Sequence, residues 1–301
     1  MNRLEAMQIY VRVAELASFT RAAEGLGLPK ASISHAVQQL ESALGTRLLH
    51  RTTRKVQMTQ DGQAYYERCK DLLADMDELQ SMFQRSEQSL RGRLRVDMPS
   101  GMARKHVVPR LPQFLDAHPQ IELELSSTDR FVDVVREGFD CVVRVGTLRD
   151  SSLIARPLGS FRTISCASPA YLKRYGTPRA PQDLAHHRLI HYVSVLGAKS
   201  AGFEAPDGAG GYRNLPMAGA LTVNNSEAYE TACLAGLGII QAPYEGLRGR
   251  IEAGELVEIL PQHPPEPMPV SIVYAHRRNL PRRVRVFMDW VAETMRPYLE
   301  A

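Results

Sequence analysis

The sequence predicts an α/β protein with an all-α segment at its N-terminus, and three observations support this prediction. Between Ser18 and Lys55, two short helical patterns are joined by a tight turn and followed by a basic run. After Thr59, apolar residues at helical spacing predict one long amphipathic helix. From Gly92 onward, short strand patterns alternate with helical ones, which is typical of α/β domains. A chain of 301 residues, 44% of them hydrophobic, is long enough for two globular domains with separate cores.

The two short helices have clear start and stop signals. Ser18 is a typical N-cap residue, and Gly27 stands where a left-handed residue usually ends a helix. Pro29 suits the first turn of the second helix, and Gly45 closes that helix. Its buried face is predicted to consist of Ile33, Val37, Leu40 and Leu44. The opposite face is polar, and a polar helix held by a tight turn fits the major groove of DNA.

The polar face and the basic run supply the candidate DNA contacts. On or near the helix these are Ser18, Lys30, Ser32, Ser34, His35, Gln38, Gln39 and Ser42, and in the basic run they are Arg47, His50, Arg51, Thr52, Thr53, Arg54 and Lys55. No carboxylate lies between Thr46 and Val56, so the run is interpreted as a wing that contacts phosphates or the minor groove. The net charge is only +4, but residues 18–58 hold six Lys or Arg against two acids. The alternative is a solvated helix pair and a solvated loop.

The long helix after Thr59 carries an apolar seam with alternating spacings of four and three residues. The seam consists of Tyr65, Cys69, Leu72, Met76, Leu79 and Phe83. This is the a/d pattern of a coiled coil, so the helix is predicted to pair with a second copy of the chain. The alternative is packing against its own domain.

Composition and spacing argue against several other classes of protein. No stretch approaches the ~20 apolar residues that span a bilayer, and charged residues interrupt any signal-peptide core, so a cytoplasmic protein without a membrane partner is expected. Cys69, Cys141, Cys166 and Cys233 form no Cys-x-x-Cys pair. His187 and His191 lack a third ligand, and Gly236 and Gly238 lack a full phosphate-binding fingerprint. We therefore expect no metal, no cofactor and no enzymatic activity.

The α/β part follows an out-and-back path. Its strand patterns are LRVDM, IELEL, CVVRV, RTISCA, LIHY, LTVN, LVEIL and PVSIVYA, and its helical patterns run through Val107 to Phe114, Val132 to Val135, PAYL, the segment after Ser226, and Val286 to Met295. A Gly-rich stretch from Gly197 to Gly219 separates two of the strands. This order predicts two subdomains, residues 91–165 plus 268–301 and residues 166–267, joined by two crossovers.

Polar residues at the predicted strand ends are the candidate ligand contacts. They are Ser100, Gly101, Ser127, Thr128, Asp129, Ala167, Ser168, Asn224 and Asn225, with Pro99 and Ser226 beside them. In such sheets, ligands bind beyond the carboxyl ends of the strands, where helix N-termini offer N–H groups to an anion. A small organic acid is therefore the expected ligand, although each of these residues also suits a plain helix cap.

A second basic cluster lies near the final helix. It consists of Arg277, Arg278, Arg282, Arg283 and Arg285. A solvated rim, direct DNA contact, and contact with another subunit or with RNA polymerase remain open.

The chain resembles the LysR-type transcriptional regulators. The N-terminal match is SFTRAAEGLGLPKASISHAVQQLESALGTRLLHRTTRKVQMTQDGQAYY, and it continues through LPQFLDAHPQIELEL, DRFVDVVREGFDCVVRVG and CASPAYL. The resemblance implies that Lys30, Ala31, Ser34 and His35 approach bases and that Arg51 to Lys55 form the wing. His35 stands where many members have Arg, and His is weaker at bidentate guanine contact.

The resemblance also implies a domain organisation. A winged helix-turn-helix domain would span residues 1–59, a linker and dimerisation helix 60–90, and a periplasmic-binding-protein-like effector domain with a ligand cleft 91–301. The predicted function is a homodimeric or homotetrameric regulator that binds double-stranded promoter DNA and a small-molecule effector. The alternatives are a cytoplasmic small-molecule-binding protein or enzyme with an N-terminal assembly domain, and a nucleoid-type protein without sequence preference.

Overall fold

A computed structural model describes residues 2–51, 56–81, 90–148, 153–275 and 280–300. The chain forms two compact units. The N-terminal unit contains Met1–Arg93 and Pro119–Glu122, and the C-terminal unit contains Leu94–His118 and Leu123–Ala301. Within the described ranges, every helix is too short or too polar to cross a lipid bilayer.

The N-terminal unit is made of four helices and a short hairpin. Its elements are α1 (Arg3–Leu16), α2 (Phe19–Leu26), α3 (Lys30–Leu44), β1 (Leu49–Arg51), β2 (Val56–Met58) and α4 (Gln60–Ser81). Helix α1 was not predicted from the sequence, and it begins with a capping box between Asn2 and Glu5. Pro29 is the N-cap of α3 rather than part of its first turn, and Leu44, predicted to be buried, is 36% exposed.

The core of this unit joins α1, α3, the hairpin and α4. Its fully buried members include Tyr10, Ile33 and Leu48. The Tyr10 hydroxyl donates a hydrogen bond of 2.7 Å to the carbonyl oxygen of Gly62, in the first turn of α4. A Cβ atom at Gly62 would lie 2.0 Å from the carbonyl oxygen of Leu48, so only glycine fits there. The start of α4 is thus packed directly against the start of β1.

The predicted seam of α4 divides into two parts. Cys69 is only 2% exposed within the N-terminal core, so its assignment to a pairing seam is wrong. Tyr65 packs against the same core, with its ring centroid 5.7 Å from that of Tyr10. Leu72 and Leu79 are 46% and 56% exposed, and Met76 is half-buried. Phe83 lies outside the described residues.

A first lobe is built on a five-stranded sheet, which belongs to the C-terminal unit except for residues 91–93 and 120–122. Its elements are β3 (Arg91–Met98), β4 (Gln120–Ser127), β5 (Cys141–Val145), β6 (Leu153–Phe161), β14 (Met268–Ala275), the helices α5 (Ser100–Met102), α6 (Leu111–Ala117) and α10 (Arg282–Met295), and short 3-10 and π turns. The strand order is β4-β3-β5-β14-β6. β3 is parallel to β5, whereas β14 runs antiparallel to both β5 and β6.

The second lobe is built on three small sheets. Its elements are β7 (Thr163–Ala167), α7 (Pro169–Tyr175), a 3-10 turn (Pro181–His186), β8 (His191–Tyr192), β9 (Phe203–Pro206), β10 (Tyr212–Leu215), β11 (Thr222–Val223), α8 (Ser226–Leu234), β12 (Ile240–Pro243), α9 (Tyr244–Glu252) and β13 (Val257–Ile259). β7 lies between β12 and β13, β8 pairs with β11, and β9 pairs with β10. The chain enters this lobe between Phe161 and Thr163 and returns before Met268, so two crossovers join the lobes.

Several local expectations need correction. The segment through Val132 and Val135 forms turns instead of a helix, and Val135 is exposed. The Gly-rich stretch contains the β9–β10 hairpin, and β6, β12 and α9 were not predicted. Arg283 is buried, which excludes it from a solvated basic rim, and Arg277 and Arg278 lie outside the described residues. All four cysteines are buried thiols.

Candidate DNA-recognition surface and effector cavity

The turn between α2 and α3 fixes the direction of α3. The Ser18 hydroxyl accepts a hydrogen bond of 3.3 Å from the backbone N–H of Arg21, which caps α2. Gly27 ends α2 with φ at +64°, a left-handed conformation in which glycine is unstrained. Gly45 ends α3 in the same way, with φ at +70°. The predicted boundaries of both helices are therefore confirmed to within one residue, and Ser18 has a structural role as a cap.

The surface of α3 carries most of the predicted base contacts. Lys30, Ala31, His35, Gln38 and Gln39 are exposed on it. Ser32 and Ser34 are half-buried beside them. Within the described ranges, the side chains of Lys30, His35 and Gln38 have no hydrogen-bond or ion-pair partner. These groups are free to donate to or accept from an external ligand.

The hairpin β1–β2 occupies the position of the predicted wing. It is antiparallel, and His50 pairs with Gln57 across it. The carboxylate of Glu41 on α3 accepts hydrogen bonds from the N–H groups of Leu48 (2.9 Å) and Leu49 (3.1 Å), which ties the hairpin to α3. The side chain of Arg51 and all of Thr52, Thr53, Arg54 and Lys55 lie outside the described residues.

A cavity of about 330 Å³ lies between the two lobes of the C-terminal unit. Of the predicted ligand contacts, Gly101, Thr128 and Asp129 line it, together with the neighbouring Pro99 and Ser226. Its volume is within the usual range for small-molecule sites.

Six predicted ligand contacts do not line this cavity. Ala167 and Ser168 are buried inside the second lobe, where Ser168 caps α7. Asn225 caps α8 through a bond of 2.8 Å from the N–H of Ala228, while Asn224 is also absent from the lining. Ser100 and Ser127 lie outside it as well, and Ser100 Oγ donates to the carbonyl oxygen of Ser127 at 3.3 Å. Ser168 and Asn225 thus serve as helix caps, which is a common role of such side chains, and Ala167 is a core residue.

Asp129 connects the two lobes at the cavity. Its Oδ1 accepts a hydrogen bond of 2.9 Å from the N–H of Ser100 at the start of α5. Its Oδ2 accepts one of 2.5 Å from the N–H of Ser226 at the start of α8 in the second lobe. A carboxylate of the chain itself therefore occupies both helix N-termini.

One cation of the cavity wall, Arg144, belongs to a buried ion pair with Asp97. Arg144 Nη1 lies 2.8 Å from Asp97 Oδ2, and Asp97 is fully buried. The Thr128 hydroxyl donates to the other oxygen of Asp97 at 3.1 Å. Removing one partner of such a desolvated pair strongly destabilises the folded protein, because the other charge is left buried without a counterion.

The other two cations of the cavity wall, Lys105 and Arg104, form ion pairs that link the first lobe to the second. Lys105 Nζ lies 3.0 Å from Glu230 Oε2 and also donates to the carbonyl oxygen of Gly246. Arg104 Nε lies 3.4 Å from Glu227 Oε1. Each cation of the cavity wall thus has a carboxylate partner.

Burial controls the ionisation of neighbouring aromatic and imidazole groups. Desolvation, with the nearby charges of Arg110 and Lys105, lowers the pKa of His106 to about 4. Its ring centroid lies 4.2 Å from that of Tyr298, with the two ring planes tilted by 41°. Desolvation, with the carboxylate of Asp129, raises the pKa of Tyr192 to about 12. His106 and Tyr192 are both uncharged at neutral pH.

Sequence reasoning missed several cavity residues. They include Lys105, His106, Arg144, Tyr192, Tyr229 and Gln241. A signal existed for Arg144, because it is a charged residue inside the otherwise apolar strand pattern CVVRV. The other residues lie on helices and strands whose mutual packing the local sequence does not reveal.

Two family models match the chain. The model of the bacterial regulatory helix-turn-helix protein, lysR family, matches residues 4–63. The model of the LysR substrate binding domain matches residues 87–296. Together they cover α3, the hairpin and both lobes around the cavity.

Similar proteins agree with these matches over their whole length. The HTH-type transcriptional regulator YhjC of Escherichia coli is 49% identical over 300 residues, which is 100% of both chains. An HTH-type transcriptional repressor of Pseudomonas aeruginosa is 40% identical over 97% of this chain and 92% of its own. The structure of CrgA, a LysR-type transcriptional regulator from Neisseria meningitidis, has a TM-score of 0.59 and 30% identity over 96% of this chain and 97% of its own. The chain belongs to the LysR family of transcriptional regulators.

Proposed function

We propose that the chain recognises a two-fold promoter sequence with α3 and binds a small organic effector in the cavity between its lobes. The observation that supports DNA reading is the exposed polar face of α3, whose Lys30, His35 and Gln38 have no side-chain partner in the described ranges. A helix of this kind, followed by a hairpin, is typical of major-groove readers. The boundaries 1–59, 60–90 and 91–301 are proposed for the DNA-binding, linker and effector domains.

The proposal is tested by capturing sheared genomic DNA on the purified protein and sequencing what remains after washes of increasing salt. We expect a few enriched sites with a two-fold pattern upstream of genes. Affinity should fall roughly tenfold or more from low to physiological salt, because phosphate contacts release counterions. Lys30→Glu should abolish retention, whereas Lys173→Glu, on the exposed surface of α7, should not. Uniform retention, or equal loss in both variants, would favour a nucleoid-type protein or an assembly role.

We also propose that α4 pairs with α4 of a second copy, giving a homodimer or homotetramer. The exposure of Leu72 and Leu79, seven residues apart on one helix, supports this pairing. Leu72→Asp should yield a monomer in analytical ultracentrifugation. Leu237→Asp, at an equally exposed leucine of the second lobe, should stay dimeric. A Leu72→Asp protein that remains dimeric would exclude this helix from the interface.

RNA polymerase is proposed as a further partner, acting in the cytoplasm where promoter DNA is bound. Arg282 and Arg285 are exposed at the start of α10 and offer a basic surface for such a contact. We further propose that the chain has no catalytic activity, since the relatives that it matches are transcriptional regulators.

A further inference from the structure

The position where an acidic effector would be expected is already filled by the chain. Asp129 bonds to the N–H groups of Ser100 and Ser226, at the starts of helices from the two lobes. Helix N-termini attract anions because their N–H groups are unpaired and the helix dipole is positive there. With both N–H groups satisfied by Asp129, neither is available to a ligand carboxylate.

Among the lining residues that the structure describes, every cation already has a carboxylate partner. The cations Arg104, Lys105 and Arg144 are paired with Glu227, Glu230 and Asp97 respectively. His106 adds no charge at neutral pH, because burial and nearby cations depress its pKa. Asp129 adds a negative charge whose described bonds go to backbone N–H groups alone. A second carboxylate would therefore be desolvated beside a like charge, which is strongly unfavourable.

The rest of the wall suits an uncharged molecule. Its apolar part includes Phe131, Val145, Phe161, Ile240, Leu247 and Met268. Two buried polar atoms of lining residues, Arg144 Nη2 and Ser226 Oγ, have no hydrogen-bond partner in the part of the chain that the structure describes. The Arg144 side chain is 91% buried and its charge is balanced by Asp97, so its spare N–H suits a neutral carbonyl or hydroxyl oxygen. A buried donor of this kind is costly unless a ligand supplies the acceptor.

We propose that the effector is an uncharged, largely apolar molecule with a hydrogen-bond acceptor for Arg144, and that Asp129 takes the place of an effector carboxylate. This inference rests on the proposed effector-binding function of the cavity and replaces the small organic acid expected from the sequence. Asp129 also holds the lobes together, so a ligand in the cavity acts on lobes that are already joined.

The first test compares methyl 2-naphthoate with 2-naphthoate, which share one ring system and differ in charge. Binding to the full-length protein is followed by their fluorescence. We expect the ester to bind about tenfold or more tightly than the carboxylate. The ester should lose about tenfold in affinity in Gly246→Leu, where a new side chain enters open space at the cavity wall.

Gly249→Leu is the matched control. Gly249 lies on the same helix α9, a Cβ there also meets nothing within 4 Å, and the residue does not line the cavity. This variant should bind the ester as the wild type does. The proposal is overturned if the carboxylate binds more tightly than the ester. It is also overturned if the ester does not bind, or if Gly246→Leu does not weaken its binding.

The second test removes the internal carboxylate. In Asp129→Ala, acetate should bind at the vacated N–H groups and raise the melting temperature by roughly 3 °C or more over chloride at equal ionic strength. The wild type should show no such difference. Equal stabilisation of the wild type and Asp129→Ala by acetate would overturn the proposal. If Asp129→Ala fails to fold, the comparison of the naphthoate ester with the carboxylate still tests the proposal. Neither test uses DNA, so failure of DNA recognition and failure of this inference are distinguishable.

Discussion

The charged and polar side chains of α3 and those of the cavity wall differ in whether they already have partners within the protein. On α3, Lys30 and His35 are exposed and have no side-chain partner within the described ranges. In the cavity wall, each cation faces a carboxylate, and the fully buried Asp97 lies 2.8 Å from Arg144. The same types of side chain are therefore available to an external ligand in one region and committed to the fold in the other.

This difference separates binding from stability. A surface that binds a polyanion must keep its cations hydrated and available, because affinity comes from replacing the counterions of the phosphates. A cavity inside a folded unit must neutralise its charges first, since a buried unpaired ion is very costly. Substitutions on α3 should therefore change affinity for DNA, and substitutions in the cavity wall should change the free energy of unfolding.

The largest expected effect is that of Asp97→Ala, which leaves Arg144 buried without its carboxylate. We expect a loss of about 3 to 5 kcal/mol in the free energy of unfolding, measured by urea denaturation. The control Glu227→Ala breaks the exposed pair with Arg104 and should cost at most about 1 kcal/mol. The double substitution Asp97→Leu with Arg144→Met should recover most of the loss. Equal costs for Asp97→Ala and Glu227→Ala would show that the cavity charges are not structural.

His35 is exposed on α3, and its proposed contact with a base edge predicts that His35→Ala relaxes discrimination at one base position by about 1 to 3 kcal/mol. The measurement compares dissociation constants for the captured site, for its single-base variants and for random DNA. The free energy of unfolding should stay unchanged. Equal losses on specific and random DNA would refute base reading by this residue.

His106 should make stability depend on pH. Its pKa is lowered to about 4 in the folded protein, so the unfolded chain binds a proton at a higher pH than the folded one. The free energy of unfolding should therefore fall as the pH drops through the window from about 6.5 to 4, by about 2 kcal/mol at pH 5. His106→Gln should remove this part of the decrease, with the exposed His186→Gln as the control. If the free energy of unfolding of His106→Gln still decreases in this pH window, other titratable groups cause the decrease.

Arg51→Ala is expected to have the smallest effect. The substitution should weaken binding to all DNA sequences alike, since the proposed role of a wing residue is to contact phosphate rather than bases. The slope of log affinity against log salt concentration should become smaller by about one, because one counterion fewer is released. The exposed Arg136→Ala, in the C-terminal unit, is the control and should change neither quantity. A sequence-dependent loss in Arg51→Ala would assign it to base or minor-groove reading.

Local signals predicted the N-terminal unit better than the cavity. Ser18 begins α2, and Gly27 and Gly45 end α2 and α3, through bonds and dihedral angles within a few residues, so the sequence alone reveals these boundaries. Strand β6 was missed because Pro157 and Gly159 interrupt its pattern, which an edge strand tolerates. The role of Asp129 was missed because its partner Ser226 is 97 residues away.

The close approach at Gly62 gives α4 the properties of a lever. The 22-residue helix is about 33 Å long and is clamped at one end to the hairpin, with no room for even a methyl group between them. Its other end carries Leu79, the outermost residue of the exposed stripe that the structure describes. A rotation of the helix by about 10° moves one end by about 6 Å relative to the other, close to the rise of two base pairs along DNA. Under the proposed pairing of α4, a small change of angle where two copies meet would displace the hairpin far enough to change which phosphates it reaches.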